Sequence, residues 1–287
     1  MNIKSFIVLL RPANLVTAIA DSLAGMAIVS FVWDKEAVFL VFASVCLYGG
    51  GVVLNDFFDR VLDAKERPER PIPSGKVTPN QALILGVTLL AIGVIFSYFY
   101  SEVSLVISLI IVFFILFYDI IAKHHFVLGP LVMGFCRGMN LVLGMSVLKQ
   151  IPLLQLPISI LPIIYIAAIT IISQNEVFGG GKWKFVFSGF LYFFVLLTQA
   201  IYSIHNQFFI FTLPFLCLHS FLLFPPLWKA IQNPIPPLVG NAVKIGVITL
   251  ILLNASFAAS FGMIPVALVI LILLPISLII AKYFAVT

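Results

Sequence analysis

Long apolar segments recur along the whole chain and are separated by short polar stretches. Each run holds about 18–22 mostly apolar residues, enough for a helix to cross a hydrocarbon core of about 30 Å. We therefore predict an all-α polytopic membrane helical bundle of nine to ten transmembrane helices, forming one domain over residues 1–287. The ten predicted spans are residues 12–33, 37–54, 80–100, 103–121, 127–148, 153–172, 184–204, 207–226, 240–259 and 263–283.

Composition leaves little room for a soluble domain, because 62% of the residues are hydrophobic and only 9% are charged. Most basic residues, including the cluster at residues 60–76, lie near span ends that would share one membrane face, whereas Lys35 and Lys149 lie opposite. Since cytoplasmic loops are enriched in lysine and arginine, we expect an integral, multi-pass protein of a bacterial-type cytoplasmic membrane, with both termini and the polar loops cytoplasmic. The net charge of +5 then reflects this asymmetry and contact with anionic lipid or ligand, and nucleic acid is not an expected partner.

Four polar residues at the end of the second apolar run form the pattern N-D-x-x-D-x-x-x-D, namely Asn55, Asp56, Asp59 and Asp63. A carboxylate at the bilayer centre costs about 2.5–3.5 kcal/mol, so such a group must face a polar cavity or bind cations. On a helix this spacing places the four side chains on one face, where oxygen ligands can converge on a hard cation such as Mg²⁺. We therefore predict a metal site here.

Two polar segments interrupt the membrane pattern, at residues 55–79 and 173–183. They are four spans apart, which puts both on the same membrane side and is consistent with two successive four-helix units whose polar loops face each other across a cavity. Prolines and Gly75 break the first segment into an ordered turn. This turn presents Arg67 and Arg70 beside the acidic helix face, a combination suited to a metal-bridged diphosphate.

The acidic pattern followed by R-P-x-R-P-I-P-S-G-K-V closely resembles the first aspartate-rich motif of the UbiA superfamily of intramembrane prenyltransferases. The family resemblance extends over roughly residues 8–260 and includes Arg11-Pro12-x-Asn14, Tyr118 with Lys123, and the helix after Gly129-Pro130. It implies a central cavity open toward the membrane that binds a polyprenyl diphosphate through Mg²⁺. In such a site the allylic diphosphate ionises when the departing oxygens are stabilised, and an acceptor captures the cation.

The resemblance also assigns roles to individual residues. Arg67 and Arg70 would approach phosphate, and Tyr118 and Lys123 would reach the diphosphate from the fourth span. Asp119 stands where the family has a small residue and could pair with Lys123. The implied sets are Asp59, Asp63, Tyr118 and Lys123 for catalysis, Arg11, Asn14, Arg67, Arg70 and Arg137 for diphosphate binding, and Asn55, Asp56, Asp59, Asp63 and Glu176 for metal.

The second polar segment departs from the family pattern. Prenyl-transferring members carry a motif resembling D-x-x-D-x-x-G-D there, whereas this chain has S-x-x-E-V-x-G-G beginning at Ser173. Only Glu176 remains acidic, and we expect weaker Mg²⁺ binding because ligand charge is a main determinant of affinity. This form resembles the EboC-like branch of the superfamily. The glycines at 179–181 either form a bare turn or bring backbone N–H groups to phosphate.

Arg137 lies about ten residues into the fifth span, and Asn140 lies one turn further along. An arginine within the membrane almost always faces the bundle interior and finds a partner. Two partners remain open, Asp21 in the first span or a phosphate or carboxylate of a ligand. For Asn140 we expect a hydrogen bond between helices.

The leading hypothesis is a Mg²⁺-dependent integral membrane prenyltransferase that uses a polyprenyl diphosphate and a small or lipidic acceptor. The alternative is a UbiA-like transporter or lipid-handling protein that kept the cavity but has a degenerate second metal site and no prenyl transfer. A third reading is a purely structural assembly partner. Acceptor identity, prenyl chain length, protein partners and oligomeric state are not fixed by the sequence.

Overall fold

The computed structural model describes residues 3–30, 35–150, 153–174 and 182–284. Within these ranges every regular element is helical, as predicted. Nine helical segments of the described chain are long and apolar enough to cross a membrane, and the two consecutive helices between Pro236 and Ser260 count as one of them. The bent pair Ile3–Leu9 and Pro12–Ile28 forms a tenth candidate with a 48° bend. The helices are α1 (Ile3–Leu9), α2 (Pro12–Ile28), α3 (Val38–Glu66), α4 (Pro79–Tyr100), α5 (Glu102–Ile120), α6 (Leu128–Met145), α7 (Ile160–Ser173), α8 (Lys182–His205), α9 (Phe209–Gln232), α10 (Pro236–Ile248), α11 (Leu250–Ser260) and α12 (Ile264–Tyr283).

Helix α3 is longer than the sequence predicted. The predicted span ended at residue 54, with a polar loop from residue 55, but the helix continues to Glu66. Residues 55–66 contain neither proline nor glycine, so nothing in the backbone interrupts the helix before Arg67 and Pro68. The acidic tetrad therefore lies on the last turns of α3, and the loop proper is confined to residues 67–78.

The turn between α3 and α4 is anchored rather than loose. Gly75 adopts φ +72°, a left-handed conformation that glycine accepts without steric cost. Ile72 and Val77 are buried against Leu9 and Val53. Thr78 then caps α4 through a reciprocal side-chain and backbone arrangement with Gln81, a common helix start. The anchoring fixes the position from which Arg70 reaches back to α3.

Helix α2 runs through the middle of the bundle, in contact with α3, α6, α11 and α12. Its approach to α6 depends on small residues, as is common between membrane helices. A Cβ atom on Gly25 would lie 2.2 Å from the carbonyl oxygen of Leu141, and one on Gly144 would lie 2.4 Å from that of Ser22. Backbone contact at these two points brings the polar side chains of α2 and α6 within reach of each other.

Gly144→Ala is expected to destabilise the fold, because the added methyl group meets backbone that cannot move aside. Gly189→Ala is the matched control, since its Cβ would approach only the end of the Leu227 side chain, at 3.3 Å. Alanine is favoured over glycine within a helix by about 1 kcal/mol, so the control should be neutral or stabilising. Thermal unfolding in detergent measures both. Equal melting temperatures for the two variants would contradict the close α2–α6 contact.

Candidate active site

A cavity of about 390 Å³ opens among α2, α3, α5, α6, α7, α10 and α11. Its walls are apolar along much of their length, where residues such as Leu47, Ile115, Ile169 and Val247 line it. Polar side chains also line the cavity, most of them from the helix ends and the turn after α3, and Arg137 and Asn140 from the middle of α6. They are Arg11, Asn14, Asn55, Asp59, Arg67, Arg70, Tyr118, Asp119, Lys123, His124, Arg137, Asn140, Thr170 and Ser173.

The tetrad divides into two pairs. At about 100° per residue, Asp59 lies some 40° from Asn55 around the axis of α3. Asp63 and then Asp56 lie further around the axis in the same direction. Asn55 and Asp59 line the cavity. Asp56 and Asp63 are only 5% and 4% exposed and turn toward arginines instead. All four share one broad helix face, as predicted, but in this structure only Asn55 and Asp59 face the cavity, and the role of all four as metal ligands stays a prediction.

Arginines neutralise the two buried aspartates. Arg70 lies 2.7 Å from Asp63 and 3.4 Å from Asp56, and Arg11 lies 2.7 Å from Asp56. Arg11 itself sits at the break between α1 and α2, with φ 46°, which turns the chain so that its side chain reaches α3. These contacts hold the turn, the first helices and the tetrad together.

Lys123 pairs with Asp59, with the ammonium nitrogen 2.5 Å from the carboxylate. The sequence left a Lys123–Asp119 pair possible, but the lysine takes Asp59 as its salt-bridge partner instead. Lys123 follows the end of α5 in a short 3₁₀ turn, which carries its side chain across to α3 and over the ring of Phe58. Asp119 accepts a hydrogen bond of 2.9 Å from Asn55 Nδ2 instead.

The donor set fits a magnesium ion held jointly with a substrate. Among the described residues, no three His, Cys, Asp or Glu side chains group closely enough to hold a metal by themselves. Mg²⁺ is commonly bound by one or two carboxylates together with substrate phosphates. Asp59 faces the cavity, and Asn55 donates through its amide nitrogen to Asp119, which leaves its amide oxygen as a possible ligand.

The second predicted metal segment cannot be placed. Ser173 lines the cavity at the end of α7, and its hydroxyl donates to the backbone carbonyl of Thr170. Glu176 and the glycines at 179–181 lie outside the described residues. The role of Glu176 as a ligand stays a prediction.

Deeper in the bundle, Arg137 and Asp21 form a buried ion pair with 2.6 Å between Nε and Oδ2. One of the two partners left open by the sequence is thus present. Asn140 donates to Asp21 at 2.9 Å, so the predicted hydrogen bond between helices is confirmed. Asn254 of α11 donates to the other oxygen at 2.7 Å. This last contact was missed, because a single asparagine in an apolar run gives no sign of a partner 233 positions away.

Comparison with known proteins decides the family. The profile of the UbiA prenyltransferase family matches residues 15–233, which is more than half of the chain. This chain belongs to the UbiA prenyltransferase family. With its apolar helices, it is an integral, multi-pass membrane protein.

Two sequence relatives carry the same name. The chain is 36% identical over 138 residues to a digeranylgeranylglyceryl phosphate synthase of Methanothrix thermoacetophila, covering 47% of this chain and 52% of that protein. A protein of the same name from Natronomonas pharaonis is 29% identical over 143 residues, covering 50% and 52%. The chain thus spans about half the length of the curated relatives it matches.

Solved structures share the UbiA fold. One, from work on digeranylgeranylglyceryl phosphate synthase in membranes, matches with a TM-score of 0.66 at 24% identity, covering 92% of this chain and 99% of that chain. A UbiA homologue from Archaeoglobus fulgidus bound to GPP and Mg²⁺ matches with a TM-score of 0.65 at 14% identity, covering 91% and 99%. These structures confirm the all-α fold, and the profile match confirms the UbiA family; the EboC-like resemblance stays a prediction.

Arg70→Ala is expected to destabilise the protein by about 3 kcal/mol or more, because removing one partner of a buried pair strands the other charge. Lys76→Ala is the control, since Lys76 is an exposed base in the same turn. Adding Asp63→Asn to Arg70→Ala should recover part of the loss, because the stranded carboxylate is then neutral. Denaturation of the wild type, Arg70→Ala, Asp63→Asn, the double variant and Lys76→Ala in one detergent checks this, and strictly additive losses in the double variant would contradict the pairing.

Proposed function

We propose that this protein is a Mg²⁺-dependent prenyltransferase that moves a prenyl group from a polyprenyl diphosphate to an acceptor within the membrane. One observation carries the proposal. Asp59 and the bases Arg67, Arg70 and Lys123 border the same cavity, and that cavity continues between apolar walls. A charged mouth above an apolar interior suits a ligand with an anionic head and a hydrocarbon tail.

The bases at the cavity mouth bind the diphosphate, and Tyr118 lies next to it in the cavity lining. Arg70 and Lys123 now neutralise aspartates, and each is placed to exchange a carboxylate oxygen for a phosphate oxygen. Arg11 and Asn14 belong to the same proposed diphosphate-binding group at the start of α2. Arginine suits this role because its planar fork matches phosphate geometry.

Asn55 and Asp59 would hold the metal from the cavity side, with Asp56, Asp63 and Glu176 as the remaining proposed ligands. Bound Mg²⁺ supplies positive charge to the departing phosphate oxygens. In the transfer, the bond between C1 of the prenyl group and the bridging oxygen breaks, and its electron pair leaves with the diphosphate. The acceptor atom then bonds to C1 and releases its proton to solvent or to the diphosphate. The A. fulgidus homologue, bound to GPP and Mg²⁺, supports this donor and metal.

The acceptor we propose is a lipid carrying a free hydroxyl on a glyceryl phosphate. The support is the name shared by the sequence relatives, digeranylgeranylglyceryl phosphate synthase. A hydroxyl nucleophile makes the new bond an ether. An amphiphilic acceptor also suits a cavity that apolar side chains line within the bundle.

We further propose that the turn after α3 and both termini face the cytoplasm. The basic turn at residues 67–76 and the enrichment of lysine and arginine on that face support this orientation. The prenyl diphosphate would then enter from the cytoplasmic leaflet.

Asp59→Asn is expected to lower diphosphate release by a factor of about 100 or more, in line with the loss of a key electrostatic group at an active site. Glu69→Gln is the matched control, since Glu69 is an exposed acid of the same segment and should change the rate less than about twofold. The assay uses purified protein in nanodiscs, Mg²⁺, geranylgeranyl diphosphate and an alkylglyceryl phosphate. Tight binding of an intact donor without cleavage by the wild type would instead favour the transporter, and a fully active Asp59→Asn would refute the metal site.

A further inference from the structure

The Arg137–Asp21 pair is separate from the bases at the cavity mouth. Arg137 lies nine residues after the start of α6 at Leu128, about 13 Å along the helix axis. Its guanidinium carbon is 5.3 Å from the centre of the Tyr48 ring. Tyr48 precedes Asn55 by seven residues on α3, about 10 Å. Arg137 is therefore about two helical turns deeper than the tetrad and beyond the bases that would hold a diphosphate, so its position does not favour the diphosphate contact that the family resemblance implied for it.

Arg137 has more hydrogen-bond donors than the protein uses. The guanidinium carries five N–H groups, and only Nε lies in an ion pair. Nη2 is buried and has no hydrogen-bond partner among the described residues. The residue is 4% exposed and lines the cavity with Asn140. A buried donor without a partner is unfavourable, and a ligand in the cavity can satisfy it.

The charge balance at Arg137 indicates which kind of ligand group can accept its hydrogen bond. Asp21 neutralises Arg137, so a second anion at this depth would bring uncompensated charge into an apolar cavity. An uncharged oxygen, such as a hydroxyl or an ether, accepts a hydrogen bond without that penalty. Asp21 is already engaged by Arg137, Asn140 and Asn254, which holds the guanidinium in place between α2, α6 and α11.

The cavity has an apolar wall on either side of this point. Helices α3 and α5 contribute one wall, with Leu47 and Ile111. Asp59 lies on α3, and Lys123 follows the end of α5. Helices α7, α10 and α11 contribute the other wall, with Ile169, Val247 and Leu250. A donor whose diphosphate lies at Asp59 and Lys123 would extend along the first wall, which leaves the second for another apolar chain.

We propose that Arg137 is the acceptor-binding residue: it donates a hydrogen bond to a hydroxyl or ether oxygen of an amphiphilic acceptor whose chain lies along α7, α10 and α11. This rests on the prenyl transfer proposed above and adds to it a site for the second substrate. The oxygen is thereby held deeper in the cavity than the diphosphate, at the depth of the donor's hydrocarbon chain.

Arg137→Lys tests the proposal, because it keeps the charge opposite Asp21 but removes the planar fork. The acceptor is an O-alkylglyceryl phosphate and the donor geranylgeranyl diphosphate, with wild type and variant in nanodiscs. We expect the variant to raise the KM for the acceptor about tenfold and to leave the donor KM within twofold. Replacing the acceptor's ether oxygen by a methylene group should weaken binding to the wild type and have a smaller effect on the variant. Gln199→Leu, a buried polar change at the α8–α11 contact outside the cavity lining, controls for loss of stability alone.

Equal rises in donor and acceptor KM, or a lowered melting temperature with both KM values unchanged, would overturn the acceptor site. An acceptor KM raised as much by Gln199→Leu would overturn it as well. Equilibrium binding of the alkylglyceryl phosphate, measured without donor, separates the two proposals. If the wild type releases no diphosphate yet binds this lipid tenfold more tightly than Arg137→Lys, prenyl transfer is refuted and the site stands. Equal binding by both proteins refutes the site whatever the turnover.

Discussion

Carboxylates inside a membrane require compensating partners, and this requirement organises the protein. A charged side chain at the bilayer centre costs about 2.5–3.5 kcal/mol on insertion scales. In the described part of the chain, the aspartates of the membrane helices all have polar partners. The contacts are Asp21 with Arg137, Asp56 with Arg11 and Arg70, Asp59 with Lys123, Asp63 with Arg70, and Asp119 with Asn55.

These ion pairs differ in the kind of backbone segment that carries the base, and the difference suggests two roles, one for mobile bases and one for a fixed base. At the cavity mouth, Arg70 comes from a turn and Lys123 from a short 3₁₀ segment. Such bases can shift toward a phosphate while their aspartates turn to a metal. The Arg137–Asp21 pair is built on packed helices and is held further by two asparagines. It is suited to hold one fixed geometry, which is what positioning a second substrate requires.

The sequence predicted the architecture well because membrane spans depend on local composition. The span count, the turn after α3 and the break at Gly262, which adopts φ +78°, all follow from apolar run length and from proline and glycine positions. Motif spacing likewise placed Asn55, Asp59 and the bases together. The extension of α3 to Glu66 was missed because polarity was taken as the end of the helix, although no proline or glycine interrupts residues 55–66.

Pairing between distant helices was harder to predict. The Lys123–Asp59 pair depends on the path of the chain after α5, and the Asn254–Asp21 contact depends on how α11 packs against α2. The spacing of residues along the chain indicates neither contact. The same holds for the division of the tetrad, because only about 40° around α3 separates Asp59, which lines the cavity, from Asp63, which meets Arg70. Side-chain partners of this kind are set by tertiary packing, which periodicity does not encode.

The central claim is that Asp59 and Asn55 hold a divalent ion against a prenyl diphosphate in the cavity. Pulsed electron–nuclear double resonance with Mn²⁺ in place of Mg²⁺ tests it most directly, because it detects phosphorus nuclei bound next to the metal. The account predicts a strong ³¹P coupling when wild-type protein, Mn²⁺ and geranylgeranyl diphosphate are combined in nanodiscs, and its loss in Asp59→Asn. A coupling that persists unchanged in Asp59→Asn, or that is absent from the folded wild type at saturating donor, would contradict it.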